Sequence, residues 1–171
     1  LCRWENRADR AAAWAVNGVL VEQFIASHPH APTEIVLDFD ATDDRVHGEQ
    51  EGRFFHGYYD QYCFLPLYVF CGDQLLTAYL RPSNIDPAKH AGAILKLLVR
   101  RIRQAWPHTR IIFRADSGFC RHWLLGWCER NCVGYVVGMA RNSRLTTLAA
   151  ALMETAAEAF ENTQRKQRLF G

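Results

Sequence analysis

EIVLDFDATDD, residues 34–44, is an apolar run that ends in acidic side chains at alternate positions. Because side chains along a strand point alternately to its two faces, Asp38 and Asp40 share one face, and Leu37 and Phe39 share the other. Two like charges side by side on a half-buried strand are costly. The stretch therefore predicts a strand with a cationic group beside its carboxylates.

Composition allows one compact core. The chain has 171 residues, of which 49% are hydrophobic and 12% aromatic, and its formal net charge is +2. This charge neither requires nor excludes nucleic acid as a partner. No run of eighteen apolar residues and no signal-peptide pattern is present, so we expect no membrane association and a cytoplasmic location. The first residue is Leu1 rather than Met, which indicates part of a longer protein.

The order of secondary-structure elements follows from periodicity, turn residues and caps. It comprises a helix over 3–27, a strand over 34–40, a hairpin over 61–70 and 74–80, a helix over 88–106 capped by Asp86, a strand over 110–116, a helix over 119–131, a strand over 134–140 and a helix over 145–160. Pro66 indicates a bulge or an edge in the hairpin. This order predicts an α/β fold, with a mixed sheet and flanking helices, preceded by an N-terminal helix.

Two carboxylates are expected at the same edge of this sheet. Asp40 ends the first strand and Asp116 ends the strand over 110–116, and parallel strands bring their carboxyl ends together. Oxygen ligands of this kind suit Mg²⁺ or Mn²⁺ and phosphoryl transfer. The alternative is that Asp116 only caps the following turn and that Asp43 and Asp44 form a solvated turn.

Two long segments carry a resemblance to a known family. LDFDATDDRVHGEQEGRFFHGYYDQYCFLPLYVFCGDQLLTAYLRPSNID and FRADSGFCRHWLLGWCERNCVGYVVGMARNSRL resemble the catalytic domain of DDE-class insertion-sequence transposases, most of all insertion-sequence group 1380. The resemblance covers nearly the whole chain. It implies a ribonuclease-H-like core over residues 34–171, with residues 1–33 forming a helix and linker that lead into it. It also implies Mg²⁺-dependent cleavage and joining of DNA, with Mn²⁺ able to substitute, on transposon ends and target DNA by a homodimer.

The resemblance also assigns catalytic residues. Asp40 in DFDAT resembles the first catalytic and metal-binding aspartate of the family, and Asp116 in RADSGF resembles the second. Asp38 is the weaker candidate for the first position. The third acid, a glutamate on a later helix, has no match, so we expect the sequence to stop before it and residues 1–171 alone to be inactive.

Other acids near the end of the chain are not catalytic candidates. They lie on one side of the last predicted helix, at a spacing typical of a solvated face, and comprise Glu154, Glu158 and Glu161.

Basic residues near the two acids are candidate DNA contacts. Arg53 and His56 lie between the first strand and the hairpin, and Arg141 and Arg144 follow the strand over 134–140, at the edge expected for Asp116. Basic groups with aromatic neighbours suit a phosphate backbone and an unstacked base. The alternative is that RFFHGYYDQY is a strand with aromatic side chains in the core and that the arginines are ordinary loop charges.

Two other functions remain open. The Asp38-x-Asp40-x-Thr42 pattern also resembles the first motif of haloacid-dehalogenase-like phosphatases, although the lysine and second acidic pair of that family have no clear match. A hairpin after the motif favours the transposase, whereas a helix there favours the phosphatase. A non-catalytic, DNA-binding remnant of a transposase is the third possibility.

Overall fold

The computed structural model of the chain describes residues 9–170. The start of the predicted N-terminal helix, residues 3–8, lies outside this range. The chain divides into two compact units, Leu1–Gly138 and Met139–Gly171. Within residues 9–170, no helix combines the length and apolarity needed to cross a bilayer.

Among the described residues, the first unit contains a helix, eight strands, a 3₁₀ turn and two further helices, and the second unit contains one long helix. In chain order they are α1 (Arg10–Ala26), β1 (Glu34–Ala41), β2 (Asp44–Arg45), β3 (Phe54–His56), β4 (Gln61–Phe64), β5 (Leu67–Cys71), β6 (Gln74–Tyr79), α2 (Ala91–Ala105), β7 (Arg110–Ala115), the 3₁₀ turn (Ser117–Phe119), α3 (His122–Arg130), β8 (Gly134–Val137) and α4 (Ser143–Thr163).

Five of the described strands form the main sheet, in the order β6-β5-β1-β7-β8. β1 is antiparallel to β5, which forms an antiparallel hairpin with β6. On its other side β1 is parallel to β7, which is parallel to β8. An antiparallel three-stranded meander extended by two parallel strands, each reached through a helix, is the ribonuclease-H-like arrangement. The predicted α/β fold with a mixed sheet is therefore confirmed.

One face of the main sheet carries the core. Ile35, Leu37 and Phe39 of β1 are buried in a cluster that includes residues of α1, α2 and α3. The rings of Phe39 and Phe113 meet edge to face, with their centroids 5.0 Å apart. Each such buried ring contributes about 2–3 kcal/mol of hydrophobic stabilisation. Asp38 and Arg114 lie on the opposite face, which is only partly buried.

Helix α1 covers the outer edge of the sheet. The side-chain amide of Asn17 donates to the Ala78 carbonyl of β6 at 3.3 Å, and its oxygen accepts from the Ala78 N–H at 2.8 Å. These bonds occupy backbone groups that would otherwise be open to another strand. Only part of this helix is buried, since Phe24 is buried whereas Val16 is 61% exposed.

Pro66 separates two strands that the sequence predicted as one. β4 ends before it and joins a small antiparallel sheet of order β2-β4-β3, whereas β5 begins after it in the main sheet. Proline donates no backbone hydrogen bond, so the chain can change sheets at this position. The hairpin of β5 and β6 across Gly72 is confirmed, and the positive φ of 57° at Gly72 is one that glycine adopts readily.

The start of α2 differs from the prediction. The helix begins at Ala91, and His90 before it has a left-handed φ of 70°. Asp86 instead closes a separate turn, in which its carboxylate accepts from the Ala88 N–H at 2.7 Å. The cap predicted for the helix was wrong, because the Asp-Pro signal fixes a turn equally well.

We expect Gly138→Ala to destabilise the protein. An added Cβ would lie 2.9 Å from the Ser117 nitrogen and 3.2 Å from the Asp116 carbonyl carbon, both backbone atoms that cannot rotate away. The expected loss is about 1–3 kcal/mol in the free energy of unfolding, measured by urea denaturation. Gly18→Ala is the matched control, since no atom lies within 4 Å of its added Cβ and α1 should gain about 0.5–1 kcal/mol. Equal effects of the two substitutions would contradict this account.

Candidate active site

Parallel pairing of β1 with β7 brings the two predicted acids together. The register places Phe39 opposite Ala115, so the next residues along the chain, Asp40 and Asp116, meet at the carboxyl-terminal edge. Both follow residues that pack in or against the core, and therefore point away from the core face. Both side chains are exposed. The sequence-predicted convergence of these carboxylates is thus present in the fold.

Asp38 has a cationic partner of its own. It lies opposite Arg114 in the same register, and the Arg114 guanidinium donates to its two carboxylate oxygens at 3.0 and 2.6 Å. The cation expected beside the acidic run is therefore Arg114. Because both Asp38 oxygens are occupied, Asp38 is less available to a metal than Asp40 is.

Asp40 keeps an uncompensated charge. Partial burial, followed by the negative charges of Asp116 and then Asp38, raises the pKa of its carboxyl, against a smaller lowering by the Ala41 backbone N–H. This pattern differs from that of a carboxylate in an ion pair, whose pKa falls. A bound cation would relieve the repulsion between Asp40 and Asp116.

The direction of the Asp116 side chain is set by a tight turn. Its Oδ1 accepts from the Gly118 N–H at 2.8 Å, and it caps the 3₁₀ turn, in which Phe119 is fully buried. Asp116 therefore does cap the following turn, as the alternative prediction stated. Within residues 9–170, Oδ2 of Asp116 makes no hydrogen bond, so capping and metal binding are compatible.

The small sheet is attached to the segment that follows Asp40. The Gln61 side-chain amide donates to the Asp43 carboxylate. Burial and the charges of Asp43 and Asp40 raise the pKa of Tyr59, which lies in the turn before β4. Tyr59 is therefore a neighbour of the acidic edge. The sequence predicted Tyr58 and Tyr59 only as aromatic neighbours of Arg53 and His56 for DNA binding, because nothing in RFFHGYYDQY shows which of its aromatic rings faces the acids.

The aromatic residues of RFFHGYYDQY are largely exposed. Phe55 is 54% and Tyr58 86% exposed, so the alternative of a strand with aromatics in the core was wrong. Among the described residues, the Nδ1 atom of His56 is buried without a hydrogen-bond partner, and its ring lies 4.9 Å from that of Tyr59. Arg53 stacks over the Tyr62 ring at 4.7 Å.

Arg141 and Arg144 belong to the second unit. Both are exposed, and Arg144 lies in the first turn of α4, whose N-cap is Asn142. Their expected place near Asp116 stays a prediction. The glutamates expected on a solvated face, at 154, 158 and 161, are exposed on this helix.

The donor set suits a hard divalent cation. Within residues 9–170, no cluster of three or more His, Cys, Asp or Glu side chains could hold a metal ion. Asp40 and Asp116 nevertheless offer carboxylate oxygens at one exposed edge, which fits an ion that keeps most of its water or takes further ligands from phosphate. The residues present therefore fit part of such a site.

The segment after the acidic motif distinguishes the two enzyme alternatives. β1 is followed by the short strands β2, β3 and β4 and then by the β5–β6 hairpin, and the stretch between β1 and α2, all of it described, contains no helix. Strands after the motif favour the transposase over the phosphatase.

Two solved transposase structures are similar to the chain. One is a piggyBac transposase synaptic complex with hairpin DNA, with 13% identity, a TM-score of 0.43, and coverage of 80% of this chain and 31% of the other. The second is a Mos1 transposase paired-end complex with the left transposon end, with 12% identity, a TM-score of 0.38, and coverage of 96% and 52%. The chain thus spans about a third to a half of these proteins. None of the curated proteins compared with it matches.

A family model matches residues 1–171, and its description is Transposase DDE domain group 1. This match agrees with the strand order of the main sheet and with the pair of acids at its edge. The chain belongs to the family of DDE transposase domains.

Proposed function

We propose that this chain forms part of a catalytic domain that cleaves and joins DNA strands at transposon ends, with Asp40 and Asp116 as two of the catalytic acids. The observation that carries the proposal is the meeting of these carboxylates at the ends of adjacent parallel strands, where partial burial and then the charge of Asp116 raise the pKa of Asp40. Asp38 is the weaker candidate for this role, because both of its oxygens accept from Arg114.

Domains of the DDE transposase family generally use divalent metal ions, and we propose Mg²⁺, with Mn²⁺ as a substitute. Asp40 and Asp116 would hold the ion through oxygen ligands. When bound, it supplies positive charge that stabilises the charge developing on the phosphate oxygens. The Gly118 N–H fixes Asp116, and the core packing of Phe39 fixes the strand that carries Asp40.

The domain bounds, the third acid, the insertion-sequence group and the homodimer are proposed from the sequence resemblance, and the location from the sequence itself. The catalytic core comprises residues 34–171, with residues 1–33 leading into it, and a glutamate without a match in residues 1–171 completes the acid set. The chain belongs to insertion-sequence group 1380 and acts as a homodimer. Its location is cytoplasmic.

DNA contacts are proposed for Arg53, His56, Arg141 and Arg144. Arg53 and His56 belong to the small sheet and the turn before it, which the Gln61–Asp43 hydrogen bond joins to the segment after Asp40. The exposed aromatic rings beside them offer stacking surfaces for bases. The neighbouring complexes contain hairpin DNA or a transposon end, which is consistent with a DNA partner.

We expect Asp40→Asn and Asp116→Asn each to weaken Mn²⁺ binding by about tenfold or more, because each removes a charged ligand while preserving side-chain shape. Binding is measured by the loss of the free Mn²⁺ signal in electron paramagnetic resonance. Asp38→Asn is the matched control and should change affinity less than about threefold, since Asp38 is paired with Arg114. A larger loss in Asp38→Asn than in Asp40→Asn would show that the first acid is misassigned.

The same three variants test which acids are needed for DNA nicking. In a protein that also carries the third acid, Asp40→Asn and Asp116→Asn should abolish metal-dependent nicking of supercoiled plasmid, whereas Asp38→Asn retains most of it. Residues 1–171 alone should not nick. Nicking by residues 1–171 that disappears in Asp116→Asn would contradict the need for a third acid.

The raised pKa of Asp40 predicts the sign of two pH effects. Folded Asp40 holds its proton more tightly than the unfolded chain does, so without metal the protein gains stability from this group as pH falls toward its ordinary pKa of 3.8. In EDTA, the melting temperature of Asp40→Asn should exceed that of the wild type by about 1–2 °C at pH 7. This difference should shrink between pH 7 and 4, while Mn²⁺ affinity of the wild type falls. A difference that grows on acidification would contradict the assignment.

We expect Arg53→Gln, Arg141→Gln and Arg144→Gln each to weaken binding to a duplex. Each substitution that removes a phosphate contact should also reduce the slope of log affinity against log salt concentration by about one, because one fewer counterion is released on binding. Fluorescence anisotropy at several salt concentrations measures both quantities. Arg110→Gln is the matched control, because Arg110 lies at the opposite end of β7 from Asp116 and is 3.3 Å from Glu34. An equal weakening in Arg110→Gln would indicate non-specific attraction to DNA rather than binding through these side chains.

A further inference from the structure

Arg81 is a buried cation that lies two residues after strand β6 and is only 1% exposed. Burial of a guanidinium is costly unless its donors find acceptors. Its Nε donates to the Leu65 carbonyl at 2.8 Å, and its Nη1 donates to the carbonyls of Pro87 and Lys89 at 2.9 and 2.6 Å. Within residues 9–170, these partners are all backbone oxygens rather than carboxylates.

These three carbonyls belong to two separate segments. Leu65 lies between β4 and β5, whereas Pro87 and Lys89 lie in the turn over 86–90 that precedes α2. The backbone reinforces the first attachment, since the Leu65 N–H donates to the Arg81 carbonyl at 2.8 Å. The arginine guanidinium has donors on separate nitrogens and so bonds both segments at once. The single nitrogen of a lysine ammonium cannot do so.

The turn over 86–90 in turn supports the turn of Asp116. A Cβ on Gly118 would lie 3.4 Å from Pro87 Cβ and 3.7 Å from Pro87 Cγ, so the proline ring borders the backbone whose N–H holds Asp116. Arg121 also donates to Asp86 at 2.8 and 3.3 Å, which ties the same turn to the residue before α3. Packing thus runs from Arg81 through Pro87 to Gly118.

We propose that Arg81 is a positioning residue for Asp116: by holding the Pro87 carbonyl, it keeps the proline ring against Gly118 and so fixes the direction of the Asp116 carboxylate. This inference rests on the proposed function only where it assigns a metal to Asp116. The effect of Arg81 on the hydrogen bond from the Gly118 N–H to Asp116 does not depend on a bound metal.

The test is Arg81→Lys, which keeps the positive charge and most of the aliphatic side chain but removes the guanidinium. Amide hydrogen exchange by nuclear magnetic resonance should show about tenfold faster exchange at Gly118 relative to the core-strand amides of Leu37 and Phe113. Mn²⁺ affinity should fall by about three- to tenfold at a temperature where the variant is fully folded. Unchanged relative exchange at Gly118, or exchange that rises equally at all three amides, would overturn the proposal.

Arg103→Lys is the matched control. Arg103 also donates to two backbone carbonyls, those of Asn131 at 2.6 Å and Cys132 at 3.1 Å, but these follow the C-terminal end of α3, the end away from the Asp116 turn. The substitution should loosen that helix end and leave Gly118 exchange unchanged. Faster Gly118 exchange in Arg103→Lys would show that removing any arginine–carbonyl attachment has this effect, and would contradict a specific role for Arg81.

Pro87→Gly tests the route of the effect and replaces Arg81→Lys if that variant does not fold. It removes the ring but leaves Arg81, and should raise Gly118 exchange by a similar factor. In the Pro87→Gly background, Arg81→Lys should add less than about twofold, because both act on one contact. Full additivity would overturn the proposed route.

If Asp116→Asn leaves Mn²⁺ affinity unchanged, the proposed metal site fails, while Gly118 exchange still decides the role of Arg81.

Discussion

The register between the parallel strands β1 and β7 is the constraint on which the site depends. Phe39 lies opposite Ala115, and this pairing carries Asp40 and Asp116 to the same edge. The register is pinned by the buried alternation of both strands, since a slip of one residue would turn Phe39 out of the core and the acids into it. Core packing therefore determines where two carboxylates meet.

The charges along this register divide into a neutralised pair and an unneutralised pair. Asp38 and Arg114 satisfy one another in a two-pronged ion pair, whereas Asp40 and Asp116, at the carboxyl-terminal edge, repel. Proteins tolerate such repulsion where function requires it, at some cost in stability. A cation at the edge would turn this cost into binding energy. Within the acidic run at the end of β1, Asp38 thus has a structural partner, whereas Asp40 is left for the proposed metal site.

Sequence patterns predicted the strands that carry Asp40 and Asp116 because alternation and turn residues report local geometry directly. They missed the change of sheet at Pro66, since a proline in an apolar run does not specify which sheet each half joins. They also missed the left-handed residue His90, because Asp-Pro signals a turn and a helix start alike. The role proposed for Arg81 could not be predicted, because it depends on backbone carbonyls of two distant segments. Every residue has a backbone carbonyl, so the sequence does not show which of them accept from Arg81.

Anomalous X-ray scattering from crystals of the protein soaked in Mn²⁺ would locate the ion directly. We expect a peak shared by Asp40 and Asp116, about 2.1 Å from a carboxylate oxygen of each, and none at Asp38. A peak on Asp38, or full occupancy elsewhere with Asp40 and Asp116 sharing no ion, would contradict this expectation.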